Sequence, residues 1–192
     1  KENKFLYVYE YLCKRFNCIF VISHAIKKYF IQQGIDEKKL YIYPMLIDPQ
    51  RFEICNQSTE VELYIAYCGD MGGNKDGLWN LIEAYTLFHI KIPNVKLYLI
   101  GDTKDVEQYN ALQNKVKSLN LEKDVVFTGR INREEMPYYL CQAAVLVLAR
   151  PNNYQAKGGF PTKLGEYLAT GKPVVITRTG EIDSYLEDNK DC

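Results

Sequence analysis

Histidine, paired cysteines and any excess of charge are what this chain lacks, and each shortage removes a class of function. Only His24 and His89 occur in 192 residues, and the six cysteines (Cys13, Cys18, Cys55, Cys68, Cys141 and Cys192) form no CxxC pair and no ligand rhythm with the histidines. A metal site of familiar spacing therefore has no framework. Lys plus Arg total 24 and Asp plus Glu total 24, so no global field draws the chain to nucleic acid or to an anionic membrane. The longest apolar run, "AAVLVLA", is far short of the roughly 20 residues that span a bilayer, and no signal-peptide pattern is read at the start. Cysteines among apolar neighbours, as in "YCGD" and "YLCQAA", have the pattern of reduced, buried thiols in a cytosolic protein.

What is present is a regular alternation. An apolar stripe at Phe5, Val8, Tyr9, Leu12 and Phe16 predicts a first helix. "CIFVIS" reads as a strand, followed by a helix capped by Ser23 and ending at Gly34. "LYIYP" is a short strand, and "MLIDPQRFEICNQSTE" reads as a polar linker or hinge. From residue 62, strands "ELYIAYC", "VKLYLI", "VVFT", "AVLVL" and "PVVIT" alternate with helices expected near 77–91, 105–119, 134–142, 161–170 and 181–188. Five strand–helix units with apolar strands predict an α/β fold built on a doubly wound, Rossmann-like parallel sheet with right-handed crossovers. Residues 1–50 are expected to form the end of a preceding unit and a hinge, and residues 51–192 the sheet domain.

In such sheets a ligand sits beyond the carboxyl ends of the strands where the winding reverses, between the first and fourth strands in the common order. The longest loops follow those two strands: "GDMGGNKD" and "ARPNNYQAKGGF". Glycines gather in both, beside Lys75, Arg150, Lys157 and Lys163, which points to an anionic ligand. "GGFPTKLGEYLATGKPVV" is not a P-loop, because five residues separate its last two glycines and Pro173 stands where a magnesium-binding Ser or Thr is needed. It suits a helix entry instead. Pro161 fits a first turn, Thr162 to Leu164 offer free amides, and Gly158 and Gly159 permit close backbone approach. Such an entry favours a diphosphate, while Glu166 one turn further suits a hydroxyl-bearing group such as ribose. Each of these features has an ordinary structural reading by itself; together they converge on one sheet edge. His24, beside the cap at Ser23, and His89, next to Phe88, read as structural, and the sixteen tyrosines are scattered. A nicotinamide-dependent oxidoreductase would need G-x-G-x-x-G after the first strand, which "GDMGGNKDG" does not supply.

These landmarks resemble glycosyltransferase family 4, the retaining, metal-independent enzymes of the GT-B fold that use nucleotide-activated sugars. "FVISHAIKKYFIQQGIDEKKLYIYPMLIDPQRF" is similar to the end of an acceptor domain and hinge; "YCGDMGGNKDGLWNLIEAY", "LYLIGD", "VVFTGRI" and "GGFPTKLGEYLATGKPVV" are similar to successive landmarks of the donor domain. The resemblance implies that Lys75, with Gly72 and Gly73 in its loop, grips the donor diphosphate and that Glu166 holds the ribose. Gly129, Arg130 and Ile131 would lie beside the base, and Gly159, Phe160, Pro161 and Thr162 would meet sugar and phosphates through their backbone. The family's usual arginine is here Asp70 and its first paired glutamate is Gly158, so Arg150 or Lys163 is expected to supply the missing cation.

By the same resemblance the chain is mainly the donor-binding half of an enzyme that transfers a sugar, with retention, from a UDP- or GDP-type donor to a polysaccharide or lipid-linked acceptor. The absence of a DxD triplet agrees with metal-independent chemistry, so no metal or other cofactor is expected, and no nucleophile is identified. The chain is expected to be a piece of a longer polypeptide lacking most of its acceptor domain and a closing strand and helix after Cys192. It is expected to be inactive alone and cytoplasmic, with at most peripheral contact with the inner face of the membrane. The competing expectation is a non-catalytic nucleotide-sugar or carbohydrate-binding module of the same fold, to which Asp70 and Gly158 lend support.

Overall fold

The computed structural model describes residues 11–57 and 62–192, with the backbone alone for 54–57. Most of the first expected helix lies outside the described residues; residues 11–13 are helical, and Phe16 falls beyond that helix. A small unit follows: β1 (Ile19–Val21), α1 (His24–Gln32) and β2 (Leu40–Ile42), with the two strands parallel. Its core is Cys13, Val21, Phe30, Ile35 and Leu40. Ser23 caps α1 as its sequence position predicts, accepting from the Ile26 amide at 3.1 Å.

The larger unit contains β3 (Tyr64–Cys68), α2 (Leu78–Lys91), β4 (Lys96–Ile100), α3 (Val106–Ser118), β5 (Val125–Gly129), α4 (Met136–Gln142), β6 (Val145–Leu148), α5 (Tyr154–Gly158), α6 (Lys163–Ala169) and β7 (Val174–Ile176). All five strands are parallel, in the order β5-β4-β3-β6-β7. The chain winds outward from β3 through β4 to β5, then returns to β6 on the other side of β3. Right-handed crossovers therefore place helices on both faces, and the reversal falls between β3 and β6. The strands carry Ala66, Leu97, Leu99, Leu146 and Leu148 with no exposed surface, as a sheet covered on both sides requires. Among the described residues no helix is long and apolar enough to cross a membrane.

Four expectations need correction. The supposed linker is a 3-10 helix over Pro49–Gln57; Phe52, only 3 % exposed, enters the core of the larger unit. Its polar composition concealed one apolar anchor. The helix expected from residue 161 starts at Lys163, because the Leu164 amide already turns back to the Pro161 carbonyl at 2.9 Å. The helix expected over 181–188 shrinks to a 3-10 turn at Ile182–Ser184. Cys13, Cys18, Cys68 and Cys192 are free thiols, with Cys18 exposed, but Cys141 is disulfide-bonded. Apolar neighbours indicate that a cysteine is buried, and they do not distinguish a thiol from half of a disulfide.

Two glycines mark close approaches. Gly77, at φ +68°, precedes α2 where a Cβ would overlap the Ala149 carbonyl at the end of β6. Gly165 lies inside α6 where a Cβ would overlap Met45 and Ile47, so the segment after β2 crosses this helix in direct contact with its backbone.

The small unit docks on the larger one through the start of α1. Glu181, in the loop after β7, accepts from the amides of His24 (2.9 Å) and Ala25 (2.7 Å) and pairs with His24 Nδ1 at 2.9 Å. Ser23 Oγ donates to the Gly158 carbonyl at 2.6 Å. Burial alone would raise the Glu181 carboxyl, but the His24 amide, the His24 ring and the Ala25 amide outweigh it and hold its pKa below the ordinary value. The contribution of this contact is therefore complete above the ordinary glutamate pKa and is lost as pH falls through the depressed one. Glu181→Gln is expected to cost about 1–2 kcal/mol near neutrality. Urea unfolding of both proteins across a pH series should show that difference shrinking in acid; a constant difference would remove the charge from the account.

Candidate functional site

Beyond the carboxyl ends of β3, β4 and β5 lies an open cleft of about 760 Å³. Its walls are Cys68–Asp70 after β3, Ile100–Asp105 after β4, and Arg130–Arg133 with Met136 after β5. The floor is shaped by Gly101, at φ +130°, where any Cβ would overlap the Gly69 carbonyl; its amide donates to the Gly129 carbonyl at 3.1 Å. Of the residues singled out in the sequence, Arg130 and Ile131 line this cleft and Gly129 leads into it.

Beside the cleft, against its wall residue Gly69, stands α6. Lys163 and Tyr167, four residues apart, share one helix face. The Tyr167 hydroxyl accepts from the Cys68 amide at 2.8 Å, pinning the helix to the end of β3. Lys163 reaches past Gly69, where a Cβ would collide with its ammonium, and makes a short contact with Asp76 Oδ2. It also donates to the Tyr67 hydroxyl at 3.0 Å, and Tyr67 donates to the same carboxylate oxygen at 2.8 Å. Arg150 Nε stands 3.7 Å from Asp76 Oδ1. Both Asp76 and Arg150 are buried, at 5 % and 4 % exposure.

The protonation states follow from this packing. Burial alone would raise the Asp76 carboxyl, but the Lys163 ammonium and the hydrogen bonds from Lys163 and Tyr67 hold it below the usual carboxylate range. Burial lowers the Lys163 pKa, with Asp76 offsetting part of that shift. The Cys68 thiol is pushed up to about 11, chiefly by burial.

On the hinge side of α6, Glu166 Oε1 pairs with Arg51 Nη1 at 3.2 Å, while Arg51 Nη2 donates to the Arg133 carbonyl at 2.8 Å. One arginine from the 49–57 segment thus joins α6 to the far wall of the cleft.

The remaining sequence candidates divide. Lys75 is exposed, yet close enough for its charge to act on both Asp76 and Lys163. The Gly72 amide donates to Asp70 Oδ1 at 2.9 Å, and the Gly73 carbonyl accepts from Gln108 of α3 at 3.3 Å. Pro161 is buried and Thr162 exposed. The Phe160 ring is buried and packs edge-on against Tyr185 with centroids 4.9 Å apart. Gly158 ends the unforeseen α5; its carbonyl is taken by Ser23, and a Cβ there would meet only Ile26 at 3.6 Å. The free amides expected from Thr162 to Leu164 reduce to those of Thr162 and Lys163, since Leu164 is committed to Pro161.

A sequence profile described as glycosyl transferases group 1 matches residues 62–192, well over half of the chain. The chain belongs to that family. Mannosylfructose-phosphate synthase of Agrobacterium fabrum is 27 % identical over 161 residues, covering 77 % of this chain and 34 % of the relative. An uncharacterised 41.2 kDa protein of the Klebsiella pneumoniae cps region is 23 % identical over 199 residues, covering 98 % and 50 %. The chain therefore spans between a third and a half of the length of these relatives. Among solved structures, Anabaena HepE in complex with UDP and glucose superposes with a TM-score of 0.73 at 19 % identity, over 97 % of this chain and 51 % of that one. Sucrose-phosphate synthase of Thermosynechococcus elongatus gives 0.69 at 20 % identity, over 96 % and 46 %. At these identities the likeness shows the fold, and the group 1 chain has that of one Rossmann-like half of the GT-B arrangement.

Sequence reasoning missed Asp76, Tyr67, Tyr167 and Arg51. Asp76 adjoins Lys75 in a loop read for its glycines and its lysine. The tyrosines lay in a strand and a helix read for packing, and Arg51 lay in the presumed linker; the adjacent Phe52 was the available signal there. Tyr167→Phe is expected to leave the Cys68 amide without its hydroxyl acceptor and to cost about 1–3 kcal/mol. Urea denaturation measures this, and an unchanged midpoint would show that the Tyr167 hydroxyl adds nothing to the hold on α6.

Proposed function

We propose that this group 1 chain is the donor-binding half of a retaining, family 4-type glycosyltransferase. The complete protein transfers a hexose from a nucleoside-diphosphate sugar to a polysaccharide or lipid-linked acceptor, without a metal ion. The observation that carries the reading is the juxtaposition, at the β3–β6 reversal, of a cation-rich helix entry with the 760 Å³ cleft beyond β3, β4 and β5. A diphosphate suits the first and a nucleoside the second. HepE, of the same fold, is crystallised with UDP and with UDP-glucose, which supports a UDP-type donor; a GDP-type donor is the alternative.

In this reading the base lies beside Gly129, Arg130 and Ile131, and the ribose hydroxyls meet Glu166. Arg51 engages one oxygen of that carboxylate and leaves the other as an acceptor. Lys75, Lys163 and the amides of Thr162 and Lys163 face the diphosphate. As the glycosidic bond to the donor breaks, negative charge builds on the departing diphosphate, and these fixed donors stabilise it without reorganising. The acceptor-binding half comes from the rest of the protein, so the 192-residue chain binds nucleotide weakly and transfers little by itself. The protein works in the cytoplasm, with at most peripheral contact with the inner face of the membrane.

Thermal-shift measurements with UDP, GDP, ADP and their sugars test the reading: a rise specific to one base identifies the donor class. Lys75→Ala is expected to weaken calorimetric binding of that nucleotide by roughly ten- to a hundred-fold, the worth of one charge-assisted hydrogen bond. Equal affinity would remove Lys75 from the site, and no shift with any nucleotide would overturn the reading.

A further inference from the structure

Three cations surround a single carboxylate at the β3–β6 reversal, and the arrangement is incomplete as it stands. Asp76 Oδ2 receives both the Lys163 ammonium and the Tyr67 hydroxyl. Oδ1 faces Arg150 Nε at 3.7 Å, beyond hydrogen-bonding reach. Arg150 Nε is buried with no acceptor, and the exposed Lys75 adds its charge one residue before Asp76. The cluster has a surplus of two positive charges.

A purely structural ion pair would match one cation to one carboxylate and satisfy every donor, because a buried charge left without a partner is costly. Here a nearly fully buried guanidinium nitrogen is unmatched. Lys163 has three N–H donors, of which Asp76 and Tyr67 take two. Its ammonium rests against Gly69, a wall residue of the cleft. The remaining donor and the surplus charge thus stand at the edge of the space assigned above to the nucleotide.

We propose that Asp76 is a tethered counter-ion within an anion site that a nucleoside diphosphate completes. With the site empty, its carboxylate holds Lys163 and Arg150 in position beside the cleft. With the site filled, its negative charge opposes the phosphates and sets how tightly they are held. Asp76 is thus a residue that tunes release of the diphosphate product, placed behind the lysine and not in contact with the sugar. The inference rests on the nucleotide-binding reading and adds to it the residue that limits affinity.

Calorimetric titration of the 192-residue chain with UDP and GDP, and with uridine and guanosine, tests it. Asp76→Asn is expected to bind the diphosphate about ten-fold tighter, from removal of one nearby like charge. Its affinity should fall more steeply with added salt, while nucleoside affinity stays unchanged. Lys163→Met is expected to weaken diphosphate binding, and the double variant D76N/K163M to recover part of that loss. The double variant removes one charge of each sign and keeps the test decisive if D76N alone fails to fold. Diphosphate binding that is equal or weaker in D76N, or no recovery in the double variant, with nucleoside binding retained, overturns the role of Asp76 and leaves the nucleotide site standing. Absence of binding by any nucleotide to the unaltered chain removes that site and this inference together.

Discussion

The ion pair between Lys163 and Asp76 is the contact on which the arrangement of the site depends. It joins the first residue of α6 to the residue just ahead of the cap of α2, and so ties together the two crossovers flanking the reversal of the sheet. Because it is nearly dry, its geometry is stiff and its partners are costly to separate. Tyr67 of β3 completes the joint from below, so strand, loop and helix are fixed by three side chains meeting at one oxygen. The direction in which α6 presents its first turn follows from that meeting point.

The rest of the fold supplies the conditions for the pair. Small residues clear the path: Gly69 gives the lysine room to pass, and Gly77 lets β6 and the start of α2 close up beside it. Tyr167, one turn along α6, binds the backbone of β3, which stops the helix rotating about the ion pair. On the other flank, Arg51 holds Glu166 and the Arg133 carbonyl at once. A residue outside the five-stranded sheet thereby ties α6 to the Arg133 wall of the cleft.

The sequence was legible where local chemistry and periodicity agree. The five strands, their parallel winding and the long loops after β3 and β6 followed from apolar runs and glycine placement, and Ser23 behaved as a cap because capping is a local interaction. What escaped was non-local. Nothing adjacent to Asp76 in the chain signals a lysine 87 positions later, and nothing near Cys141 distinguishes its disulfide from a thiol. Arg51 and Phe52 were overlooked for a related reason: a polar stretch with prolines reads as solvated until the partner for its one large apolar ring is known. Lys163 and Arg150 were recognised as cations of this region, but charge type alone could not foretell that both face inward to one carboxylate. The bond from Ser23 to the Gly158 carbonyl is equally non-local and left no mark in the sequence.

The passage of residues 45–47 across α6 at Gly165 has a mechanical consequence. That helix is gripped on one side by the incoming chain and on another by the end of β3, so it can neither slide nor swing. The stretch at 73–75 across from it is exposed, so of the two crossovers at the reversal it is the α6 side that is clamped by packing.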